Sequence, residues 1–231
     1  MLFDLRGRGR RRTVQVIYLS LAILMGGGLV LFGIGGATSG GLIDAIQGGK
    51  SSNSSGSDTF QKRVDALEKQ TQTDPTNARA WAQLAGLRFQ LAGSGANYDQ
   101  ATQVYTDKGK AELRQASAAW QRHLKLAGDK PDPTVANQMV QAYGISGLQN
   151  YPEAVKALEF VIDATPNATF QQYAQLAVLA HGAKQDRKAT LSADKAVSLA
   201  PKAQRKTLRD QIKAAQQQLD SAAGSTTTSG Q

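Results

Sequence analysis

The sequence predicts an all-α protein: an α-α superhelix of about three antiparallel helix pairs with a capping helix at each end, preceded by one transmembrane helix. Three observations carry this expectation. Apolar residues between 59 and 220 recur at spacings of three and four, and no stretch alternates as a half-buried strand would. Residues 14–34 form an uncharged, largely apolar run. Asp-Pro or Pro punctuation returns at Asp74-Pro75, Asp132-Pro133, Pro166 and Pro201, where helices are expected to start or stop.

The N-terminal run comes first in the chain. At 1.5 Å per residue, 14–34 makes about 31 Å of helix, enough to span a bilayer core. Arg6, Arg8, Arg10, Arg11 and Arg12 stand directly before it, whereas Lys50 is the one basic residue in the stretch that follows. By the positive-inside rule the N-terminus stays in the cytoplasm and the rest of the chain is extracytoplasmic. The competing form is a cleaved signal peptide, cut near Gly36-Ala37-Thr38-Ser39. The apolar core is longer than the 7–15 residues typical of such peptides, which favours a retained anchor in the cytoplasmic membrane. The expected organisation is therefore a basic cytoplasmic tip at 1–13, a transmembrane helix at 14–36, a Gly/Ser-rich linker at 37–58, a helical domain at 59–220 and a disordered tail at 221–231. The linker carries a small apolar island at Leu42, Ile43 and Ile46.

Charge and cysteine usage then exclude several classes. The chain has a net charge of +9, of which +4 lies in residues 1–36. The remainder has few aromatics interleaved with Lys or Arg and no recognisable nucleic-acid module, so nucleic acid is not an expected partner. The absence of cysteine excludes disulfides, thiolate metal sites and cysteine nucleophiles, and suits an extracytoplasmic domain without bridges.

Within the helical domain, Tyr173, Leu176, Ala177, Ala189, Ala193, Ala196 and Pro201 have a distinctive order. A large residue is followed by an aliphatic one three later, then small residues where a second helix crosses the first, then a closing proline. About one repeat length upstream stand Met139, Val140, Tyr143, Ala154, Leu158, Val161 and Pro166. A first copy has Trp81, Leu84, Ala85 and Phe89, followed by Leu113, Ala116, Trp120 and Leu124, with an insertion near 93–110 between its helices. These offsets resemble the tetratricopeptide repeat family, whose helices approach closely only where the crossing points are small. Phe60, Val64 and Leu67 before the repeats, and Leu208, Ile212, Ala215 and Leu219 after them, form stripes suited to capping helices.

No catalytic signature is legible: there is no P-loop, dinucleotide fingerprint, Gly-x-Ser-x-Gly or His-Glu-x-x-His, and His123 and His181 are isolated. Neither enzymatic activity, nor a cofactor, metal or small-molecule substrate, is expected. The family resemblance implies binding of a protein or peptide in the groove lined by the first helix of each pair. Its positions fall on Arg79, Ala82, Gly86, Phe89 and Gln90, then Thr134, Asn137, Gln141 and Gly144, then Gln171, Ala174, Val178 and His181. Of these, Arg79, Phe89, Gln90, Asn137, Gln141, Gln171 and Val178 are the expected contacts. The chaperone-tail clamp of some members needs Lys and Asn where this chain has Ala82 and Gly86, so that specificity is not implied. A basic stripe at Lys202, Arg205, Lys206, Arg209 and Lys213 reads either as the solvated side of a cap or as a surface for an anionic bilayer.

The overall plan resembles bacterial membrane-anchored repeat proteins that work beside the secretion translocon. That resemblance implies a chaperone-like accessory scaffold. A structural adaptor in envelope assembly or division is the alternative.

Overall fold

The computed structural model describes residues 54–226, with side chains placed for 58–221. The expected transmembrane span, its arginine flank, the linker up to 53 and the end of the tail from 227 lie outside the described residues. Among the described residues no helix is long and apolar enough to cross a membrane.

Eight α-helices follow in chain order: α1 Ser54–Thr73, α2 Ala78–Ala92, α3 Asp107–Ala127, α4 Pro133–Tyr143, α5 Tyr151–Asp163, α6 Phe170–Gly182, α7 Asp186–Leu199 and α8 Arg205–Thr226. The all-α class is therefore observed. Helices α2 and α3, α4 and α5, and α6 and α7 pack as pairs. Each pair also meets the next, through α2 and α3 on α4 and through α5 on α6. At the two ends, α1 packs on α2, and α8 packs on α6 and α7.

Local chemistry fixes the starts of most of these helices. Asp132 caps α4 by accepting from the Thr134 and Val135 N–H groups at 2.9 and 3.1 Å, with Pro133 at the first helical position. Thr169 and Gln172 form a reciprocal capping box at the start of α6. Asn77, rather than the expected Asp74-Pro75, caps α2 by accepting from the Ala80 N–H at 3.0 Å. Asp74 instead accepts from the Thr76 backbone and hydroxyl, closing the turn ahead of that cap.

The paired helices can approach because small residues occupy their contacts. Ala85, Ala116, Ala136, Ala154, Ala177, Ala180 and Ala196 have no solvent exposure. Around all of these but Ala177 and Ala196, one continuous core runs from Val64 on α1 through Leu113, Trp120, Met139, Tyr143 and Leu158 to Leu179 on α6 and Ala189 on α7. Full burial of such aliphatic side chains contributes about 1.5–3 kcal/mol each. A second, smaller cluster of Ala177, Ala196, Val197, Ala200, Leu208 and Ile212 seats α8. The expected α1 stripe and the Leu208 and Ile212 half of the expected α8 stripe are thus in place, while Ala215 and Leu219 are half-buried.

Two boundaries differ from the sequence-based expectation. Helix α1 begins at Ser54, inside the segment read as linker, and α8 reaches Thr226, inside the segment read as tail. Once a packed stripe has nucleated a helix, extension by further turns into polar sequence is inexpensive. The insertion after α2 forms a 3-10 turn at Gly95–Asn97 and an antiparallel hairpin of β1 (Tyr98–Asp99) and β2 (Val104–Tyr105). The Tyr98 and Tyr105 rings meet edge to face at 5.1 Å, and Asn97 Nδ2 donates to the Leu91 carbonyl at 2.9 Å. A Cβ on Gly109 would lie 2.1 Å from the Asn97 carbonyl oxygen, so α3 can begin under this insertion only with glycine there.

Candidate partner-binding face

The seven expected groove contacts are spread along the first helices of the pairs. Arg79, Gln90 and Gln171 are exposed, whereas Phe89, Asn137, Gln141 and Val178 are half-buried. Phe89 packs on the main core and Val178 on the smaller cluster, which leaves each only partly available to a ligand. Ala82 and Gly86 are buried. A Cβ on Gly86 would meet Gln138 Oε1 at 2.9 Å and Val135 Cγ2 at 3.7 Å, so this part of α2 faces α4 rather than open solvent. Close contact with α4 thus covers Gly86, a position that the repeat resemblance assigns to a groove.

Two clefts flank α7, and none of the seven residues lines either of them. One, of about 590 Å³, lies between α5, α6 and α7 with a predominantly apolar lining that includes Tyr173, Leu176 and Leu191. Its edge carries the Lys188–Glu159 ion pair at 2.5 Å, and Lys195 Nζ stands 6.0 Å from the Tyr173 ring centroid. The other, of about 380 Å³, lies between α7 and α8 over Ala189, Ala193, Val197 and Ile212, with Asp186 and Asp194 on α7 and Arg209 and Lys213 on α8. His181 lies at its end. There Nε2 bonds both Asp220 carboxylate oxygens at 3.0 Å, and this bond holds the Asp220 carboxyl below its ordinary range.

The five basic-stripe residues occupy different settings. Arg205 turns back onto the end of α7, donating from Nε to the Ala200 carbonyl at 3.0 Å and from Nη2 to the Ser198 carbonyl at 2.9 Å. It satisfies carbonyls that a helix C-terminus leaves open. Lys206 pairs with Asp210 at 2.9 Å and holds its carboxyl low. Lys202 is exposed, and Arg209 and Lys213 line the α7/α8 cleft.

Two buried polar residues tie helices together. Arg88, 6 % exposed, bonds Glu68 on α1 through Nη2 and Glu112 on α3 through Nη1, the latter at 2.5 Å. Burial alone pulls its pKa down, but the hydrogen bonds and charges of Glu112 and Glu68 outweigh this and raise it. His123 accepts from the Asp132 N–H at Nε2, 3.0 Å away, which leaves Nδ1 to donate to the Ala78 carbonyl at 2.8 Å. The ring is thereby fixed as the neutral Nδ1–H tautomer joining α3 to the starts of α2 and α4.

Sequence reasoning missed Leu191 as a surface feature. The signal was its position two residues beyond Ala189, whose counterparts after Ala116 and Ala154 are Ala118 and Lys156. Among the described residues no group of three or more His, Asp or Glu side chains could hold a metal ion. Comparison with known protein families, curated proteins and solved structures gives no match to this chain.

Proposed function

We propose that this chain is a membrane-anchored tetratricopeptide-type scaffold that binds protein partners on the extracytoplasmic face of the cytoplasmic membrane. Its role is that of a chaperone-like accessory factor near the secretion machinery. The observation that supports the reading is the packing order: helix pairs with alanine at their buried contacts, each resting on the last, and capping helices at both ends. A stack of this kind places amide and apolar side chains along successive first helices, a surface suited to extended or helical segments. The uncharged run at 14–34 behind five arginines supports the anchor and its orientation.

Photoreactive residues at Gln141 and Gln171 in cells test the binding role. Adducts with translocon components and varied secreted chains are expected, whereas one folded envelope partner would overturn the chaperone-like role. Protease added to intact spheroplasts should digest the helical domain; a protected domain would refute the topology.

A further inference from the structure

The α5/α6/α7 cleft has a feature that a solvated helix surface does not require. Leu191 is 60 % exposed, although the cleft's lining already includes Tyr173 and Leu176 from α6. The corresponding exposed positions in the other second helices hold the smaller Ala118 and the charged Lys156. A cavity of about 590 Å³ is within the range that takes up large side chains or a small ligand.

Charge selects the occupant. Arg187 and Lys195 stand four residues before and four after Leu191, so they flank it along α7 about 12 Å apart. No ion pair engages either among the described residues, while the Glu159 carboxylate is engaged by Lys188. Asp186 lies in the first turn of α7, where the helix dipole favours its negative charge. A second copy docked antiparallel through Leu191 would set Arg187 of each chain against Lys195 of the other, like charges face to face. An acidic partner meets both cations favourably.

We propose that this cleft is a docking site for an acidic amphipathic helix of a partner protein, with one large apolar side chain entering beside Leu191 and carboxylates about one turn to either side paired with Arg187 and Lys195. The site lies apart from the first-helix groove and rests on the proposed scaffold function only in taking a protein segment as ligand.

The probe is a labelled alanine-based peptide with a central Leu and Glu four residues to each side. Its counterpart carries Lys at those two positions. Fluorescence anisotropy with the full-length chain in neutral detergent micelles should show the Glu peptide binding about tenfold more tightly, from two exposed pairs changing from repulsion to attraction. Leu191→Ser should weaken binding of the Glu peptide, and Arg187→Glu with Lys195→Glu should reverse the preference. These exposed substitutions should leave the helical circular dichroism and melting temperature unchanged. Equal affinity for the two peptides, or binding unaffected by Leu191→Ser, overturns the proposal. Self-association that Leu191→Ser abolishes, without preference for the Glu peptide, overturns it in favour of a second copy. Crosslinking from Gln141 and Gln171 reports on the groove separately, so either reading can fail while the other stands.

Discussion

Replacing Arg88 with methionine keeps an unbranched stem in the core but removes the cation from between Glu68 and Glu112. The two carboxylates left behind differ in access to water: the Glu112 side chain is 18 % exposed and that of Glu68 is 40 %. Removing one partner from a fully buried ion pair costs about 3–5 kcal/mol. Because Glu68 can turn to solvent, Arg88→Met should fall near or just below the lower end, about 2–3 kcal/mol. For a domain of this size that corresponds to a fall of about 4–12 °C in melting temperature. Urea unfolding followed by fluorescence of Trp81 and Trp120 measures the change directly. The decisive comparison is Arg88→Met combined with Glu112→Gln, which removes the uncompensated buried charge and should recover at least about 1 kcal/mol. If the single change costs less than that, or the second adds to the loss, the triad is not what locks α1 to the stack.

Three other outcomes are expected. Ala196→Leu forces a branched side chain into the fully buried contact beneath α8, costing about 1–3 kcal/mol; hydrogen exchange should quicken first in α8 while α2–α5 stay protected. His123→Leu leaves the Asp132 N–H and Ala78 carbonyl without their partner; at about 1–3 kcal/mol for each unsatisfied group, chemical denaturation should show a loss of about 2–6 kcal/mol. The Asp220 carboxyl should titrate below ordinary aspartate by NMR and return upward in His181→Ala. Its contribution to stability is complete above the unfolded-state pKa and is lost as pH falls through the depressed value, so acid should loosen the end of α8.

Helices α2 to α7, their pairing, the α1 capping stripe and the Leu208/Ile212 part of the α8 stripe were legible because each rests on a periodic apolar pattern or a strong cap. Asp132-Pro133 is the clearest case, with residue chemistry and position agreeing. The expected groove was less legible: Gly86 fits a position that the repeat resemblance turns outward, but its small size also lets α4 close over it, and a one-dimensional offset does not separate these outcomes. Arg88 lies in an apolar stripe where a charge looks out of place, and its two partners stand 20 and 24 residues away. Likewise the basic stripe is one arc on a helical wheel, but only folding turns Arg205 onto the preceding helix.

The hairpin after α2 also bears on how the domain can be handled. Linking α2 to α3 through this insertion costs roughly 1 kcal/mol more closure entropy than a four-residue turn. Bonds from Asn97 and Thr106 and the edge-to-face tyrosines hold its base against that cost. The segment between the strands, Gln100 to Gln103, is exposed and takes no part in the core. It is therefore a natural port for an inserted epitope or fluorophore, which would report on the domain from a point that helix packing does not use.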